Sequence, residues 1–114
     1  LIKRMYDLGV KPDWWKLEPI ADLSFWTGAG DIAREHDPHI QGIIVLGKDM
    51  PDEKLGAVLG LARRERLVRG FAIGRTIFSA AAKQWFAGEI DDNAAQQMMT
   101  AVYGQLIDAW DNAA

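Results

Sequence analysis

Apolar positions recur along this chain with two different periods, and the changes of period divide it into elements. LIKRMYDLGV, residues 1–10, reads as the last turns of a helix closed by Gly9. KPDWWKLEPI sets bulky aromatics between two prolines, as a short strand with loop ends does, over roughly Asp13 to Glu18. DLSFWTGAGDIAREHDP offers Asp22 and Ser24 as caps, an irregular centre at Gly28 and Gly30, and a stop at Pro38, which predicts a helix with a weak or broken first half. GIIVLG, Gly42 to Gly47, is an unbroken aliphatic run between glycines, the pattern of a strand buried on both faces. The next segment, KDMPDEKLGAVLGLARRERL, has Pro51 near its first turn, acids at its start and arginines at its end. Its apolar stripe is Leu55, Val58, Leu59 and Ala62, and Gly56 and Gly60 on the same helix allow close packing against a neighbour. VRGFAI is a third strand and RTIFSAAAKQWFAG a helix ending at Gly88. A longer helix then opens at Asp91 or Asp92, with Ala95, Met98, Met99, Val102, Leu106 and Trp110 on its inner stripe.

Strands that alternate with helices imply right-handed crossovers and a parallel sheet. Three strands are few for such a sheet, whose faces and edges both need cover. The expected fold class is therefore α/β: a single partial domain over residues 1–114, forming the C-terminal part of a TIM-type (β/α)8 barrel. The remaining strands would come from a longer parent chain or from another copy. A strand, a short helix starting at Arg75 and then a second helix match the end of such a barrel, where the last loops and a short extra helix often hold phosphate. The alternative is the edge half of an open, doubly wound sheet, whose ligand crevice also lies at strand C-terminal ends.

Composition narrows the partners. With 114 residues, 49% of them hydrophobic, the chain fills one core at most. Its net charge of -3 argues against nucleic acid or an anionic membrane surface as the main partner. The absence of cysteine excludes disulfides and thiolate metal sites, and fits a cytoplasmic location. No secretory signal or bilayer-spanning run is visible, and no cofactor motif or dependable metal geometry stands out. His36, Asp37 and His39 read as ordinary residues of a helix end, and Arg63, Arg64, Arg66 and Arg69 as the complement of a helix C-terminus on a solvated face.

Three short stretches carry candidate chemistry. In GFAIGRTIF, Gly74 lets the backbone approach a ligand at the mouth of a strand, and the amides of Arg75 and Thr76 begin a helix whose positive end favours an anion. Arg75 adds a fork of donors matched to phosphate oxygens; the competing reading is a tight turn with Arg75 paired to a carboxylate. In VLGKDMP, Gly47 and Lys48 leave the neighbouring strand on the same rim, so Lys48 and Arg75 can share one anion. Alternatively, Lys48 is a solvated loop residue beside an acid that caps the next helix. In DWWKLEP, alternation places Trp14, Lys16 and Glu18 on one face. A lysine enclosed beside aromatics is more readily neutral and can form a Schiff base, with Glu18 moving protons; otherwise Lys16 and Glu18 simply pair.

The stretches YDLGVKPDWWKLEP, DPHIQGIIVLG and VRGFAIGRTIFSAAAKQWFAGEIDD resemble the C-terminal aldolase-like domain of bacterial 5-dehydro-2-deoxygluconokinase fusion proteins of myo-inositol catabolism. That domain is in turn similar to class I aldolases of the tagatose-bisphosphate type. There a Lys-Val-Glu strand supplies the Schiff-base lysine, and a Gly-Arg pair after the last strand holds a substrate phosphate. The resemblance implies that Lys16 is the Schiff-base lysine, and that Gly74 and Arg75 bind phosphate. It also implies an upstream sugar kinase and earlier barrel strands in the same parent chain, the latter carrying the partner acids. The activity implied is cleavage of a phosphorylated keto-deoxy sugar acid. The alternative is a non-catalytic appendage that packs against or oligomerises the kinase.

Overall fold

The structure, a computed structural model, describes residues 1–113. Its elements are α1 (Ile2–Asp7), β1 (Trp14–Leu17), α2 (Leu23–His36), β2 (Gly42–Leu46), α3 (Asp52–Ala62), β3 (Val68–Ala72), α4 (Arg75–Phe86) and α5 (Asp92–Asp111). The three strands form one parallel sheet in the order β1-β2-β3. This is the predicted alternation. None of the described helices is long and apolar enough to cross a membrane.

Register divides the sheet into two unlike faces. Leu17 pairs with Val45, and Val45 with Phe71; Lys16 pairs with Ile44, and Ile44 with Gly70. Leu17, Ile43, Val45 and Val68 join the core with Trp26 and Ala29 of α2, Leu55, Val58, Leu59 and Ala62 of α3, and Leu106 of α5. On the other face Trp14 and Lys16 are exposed, and Ile44 and Leu46 are only half-buried. The expectation of a β2 covered on both sides is therefore corrected: the described residues cover one. The strand order advances without reversal, so the connections through α2 and α3 fall on the same side. The result is a two-layer slab of 51 × 31 × 20 Å, with a radius of gyration of 16.3 Å, where a compact chain of this length has about 13 Å.

α2 also differs from expectation, because it runs unbroken through both of its glycines. Asp22 caps it, accepting from the Ser24 backbone N–H at 2.9 Å and from the Ser24 hydroxyl at 2.7 Å. Trp26 is fully buried, and its indole N–H donates to the Ile20 carbonyl at 2.8 Å. A Cβ at Gly30 would lie 2.4 Å from the carboxyl carbon of Glu65. Gly30 is thus a cradle for a buried acid and not a break in the helix. Glu65 accepts from Arg34 at 2.6 and 3.1 Å and from the Leu67 N–H at 3.1 Å. Burial alone pushes this carboxyl up, but the Arg34 hydrogen bonds, the Leu67 N–H and the Arg34 charge together outweigh it and hold it below its ordinary value.

Small residues set the α3–α5 contact. A Cβ at Gly56 would stand 3.2 Å from that of Ala109, and one at Gly60 would stand 3.7 Å from that of Ala113. Arg63 donates to the Trp110 carbonyl and stacks 5.6 Å from the Trp110 ring centroid. It therefore packs against α5 and is not merely solvated, a correction to the simple reading of the arginine run. Along α5, Ala95 and Leu106 are buried, and Met98, Met99, Val102 and Trp110 are half-buried.

Two glycines in one helix give opposite expectations. Gly30→Ala forces the Arg34–Glu65 pair apart and lowers stability by about 1–3 kcal/mol, as overpacking does. Gly28→Ala has nothing within 4 Å of the new methyl and gains up to about 1 kcal/mol from helix propensity; denaturant unfolding of both variants measures the contrast. The Glu65 contribution is complete above its ordinary value of 4.5 and is lost as pH falls through its depressed folded value. Unfolding curves of the native chain therefore weaken on acidification below about pH 4.5, and Glu65→Gln removes that part of the slope.

Candidate functional site

Because the strands are parallel, β1, β2 and β3 release their following loops at one rim. Gly47 follows β2 directly, and a Cβ there would come within 3.0 Å of the Ile73 side chain. Lys48 and Asp49 follow with φ of 48° and 57°, left-handed backbone at two consecutive residues with side chains. The loop is held from both ends. The Met50 N–H donates to the Gly47 carbonyl at 3.0 Å, and the Thr76 hydroxyl donates to the Met50 carbonyl at 2.8 Å. Beyond the neighbouring strand β3, Gly74 is the N-cap of α4 and makes no side-chain cap. Among the described residues the Arg75 and Thr76 amides have no partner, whereas the Ile77 N–H already donates to the Gly74 carbonyl at 2.8 Å.

A cavity of about 340 Å³ lies at this rim, lined by Glu18, Gly47, Lys48, Asp49, Gly74, Arg75 and Thr76 together with Leu46, Ala72 and Phe78. All five residues expected to bind phosphate meet there. The two cations are paired: Lys48 Nζ lies 2.9 Å from Glu18 Oε1, and Arg75 Nη1 lies 2.8 Å from Asp49 Oδ2. Their side chains are 62%, 55%, 64% and 53% exposed, respectively, so each pair is worth at most about 1 kcal/mol. Glu18 thus pairs with Lys48 and not with Lys16. Asp49 pairs with Arg75 and does not cap α3, whose N-cap is Pro51.

Lys16 stands on the open face and borders a second, larger cavity of about 590 Å³, shared with Glu18, Leu46, Phe25 and Ile32. Among the described residues it is exposed and belongs to no ion pair. Trp14, also 45% exposed, leaves the amine unenclosed by these residues. Glu18 borders both cavities and links them. His36 lies elsewhere, stacked on Tyr6 at 5.2 Å and donating from Nδ1 to the Ile32 carbonyl at 2.9 Å. Asp37 accepts from the His39 N–H at 2.9 Å, a local turn contact.

The sequence profile of a family described as uncharacterised proteins conserved in bacteria (DUF2090) matches residues 1–114. The chain belongs to that family. No curated protein and no solved structure matches it. Sequence reasoning brought out the cations and glycines of the rim and weighed a carboxylate partner for Arg75, which the structure supplies as Asp49; it missed the Lys48–Glu18 pair, the left-handed loop and the Thr76–Met50 hydrogen bond. The Gly-Lys-Asp run after a buried strand is the signal that was available for the loop.

The hydroxyl of Thr76 ties α4 to the loop after β2. Thr76→Val leaves the Met50 carbonyl without this donor and lowers stability by about 1 kcal/mol, while Thr76→Ser retains most of it. Chemical denaturation of the two variants reads out the difference.

Proposed function

We propose that this DUF2090 chain is an aldolase-like domain that holds a phosphorylated keto-deoxy sugar acid at its strand ends and cleaves it through a Schiff base on Lys16. The observation that carries this reading is the convergence of Gly47, Lys48, Gly74, Arg75 and Thr76 on one cavity, with Glu18 bridging to the cavity that Lys16 borders. The phosphate would take the leading amides of α4 and the Arg75 fork, with Lys48 as a second cation. The carbon chain would then run past Glu18 toward the open face. There the Lys16 amine attacks the keto carbonyl, water leaves, and the resulting iminium accepts the electron pair of the breaking carbon–carbon bond. Glu18 serves as the group that moves protons.

Such chemistry needs an enclosed amine, and in this reading the enclosure comes from strands packed over Trp14, Lys16, Ile44 and Leu46. Those strands, with the remaining site acids, precede this segment in a longer cytoplasmic polypeptide that also carries a sugar kinase, or they come from another copy. The resemblance to the kinase-fusion domain supports this arrangement. A second reading, a non-catalytic appendage of the kinase, is favoured by one observation: Lys16 is exposed among the described residues.

The test uses the polypeptide that carries the remaining barrel strands. Borohydride with a phosphorylated keto-deoxy sugar acid is expected to trap an adduct on Lys16 that Lys16→Met abolishes without loss of fold. Arg75→Ala is expected to raise the concentration of substrate needed for trapping. No adduct under saturating substrate would leave the appendage as the function.

A further inference from the structure

The rim holds as many carboxylates as cations, and that balance bears on what can bind. Lys48 faces Glu18 and Arg75 faces Asp49, so the cavity presents no net charge through these four groups. The Asp49 side chain has no hydrogen-bond or ion-pair partner other than Arg75 among the described residues. It caps no helix, lies in the left-handed region, and is 53% exposed in its pair with Arg75. We infer that Asp49 is a tethered competitor for Arg75: its carboxylate occupies the guanidinium donors that a ligand phosphate takes, and the ligand binds by exchange with it. This rests on the phosphate-binding reading of the rim.

A carboxylate fixed on the adjoining loop has a high effective concentration at Arg75, so a free monocarboxylate gains nothing by replacing it. A phosphate monoester carries about two charges at neutral pH and three acceptor oxygens, and at this rim it can also reach the α4 amides and Lys48. Exchange therefore favours the phosphate end of a sugar acid over its carboxylate end, and it directs that end to Arg75. The same exchange keeps affinity moderate, because Asp49 re-forms its pair as the phosphorylated product departs. Binding energy that would deepen the ground state without aiding the chemistry is held back.

The experiment is a titration of the protein with inorganic phosphate at about pH 8, where the dianion dominates, followed through the amide resonances of Gly74, Arg75 and Thr76. Asp49→Asn removes the charge and keeps a side chain that tolerates left-handed backbone. It is expected to tighten phosphate binding roughly two- to fivefold, the range of an exposed ion pair. Glu53→Gln removes the same charge from the exposed first turn of α3, where Glu53 makes no ion pair among the described residues; it is expected to change the affinity by less. Affinity in Asp49→Asn equal to or weaker than that of the native chain, or an equal gain in Glu53→Gln, overturns the competitor role while leaving the phosphate site standing. Absence of binding in both native chain and Asp49→Asn removes the phosphate site itself, and the competitor with it.

Discussion

The parallel pairing of β2 with both of its neighbours is the constraint on which the rest of the molecule depends. Ile43 and Val45 are fully buried between the strands and the helices, and their register fixes which residues of β1 and β3 share their face. Parallel strands end on the same side. Lys48 and Arg75 are separated by a whole helix and strand, yet they leave adjacent strand ends and line one cavity. Alternation then places Lys16 level with Ile44 on the uncovered face, one residue short of the buried Leu17. An antiparallel neighbour would have sent one of these groups to the far end of the sheet.

Charged groups play two distinct parts in this fold. Glu65 is 6% exposed and takes hydrogen bonds from Arg34 and a backbone amide, so removing the half-exposed Arg34 leaves the carboxylate in a poorly solvated place. Its location is protected by a missing side chain, that of Gly30. The pairs at the rim are solvated and individually weak, which lets their members change partners at little cost. Structural and exchangeable electrostatics are thereby kept at opposite ends of the sheet's helices: Arg34 lies in the last turn of α2, and Arg75 opens α4.

The element order and the core stripe of α3 were legible because they depend on local periodicity, as the buried Leu55, Val58, Leu59 and Ala62 show. The residues lining the rim were legible for a related reason: glycine followed by a basic residue at a strand end has few local explanations. What sequence could not supply was pairing between distant segments. Gly30 reads as a helix breaker until Glu65 is placed against it, and Glu18 has Lys16 as its nearest lysine in sequence but Lys48 in space. The uncovered sheet face was misread for a similar reason. An unbroken aliphatic run such as GIIVLG reports suitability for burial, and which elements arrive to provide that burial is decided by topology.

The all-parallel connectivity also has a kinetic consequence. Every strand pairing among the described residues spans an intervening helix, so no hairpin can form early and hold the chain together while the remainder collapses. Each ladder must wait for a long loop to close, a step whose entropy is lost before any pairing is gained. Until both neighbours arrive, the aliphatic run of β2 is exposed with two unpaired edges, the state in which a nascent chain is most prone to associate with others like it. Conditions that slow closure, such as low temperature, or that favour encounters between unfolded chains, such as high chain concentration, should therefore affect the yield of folded protein more than its final stability.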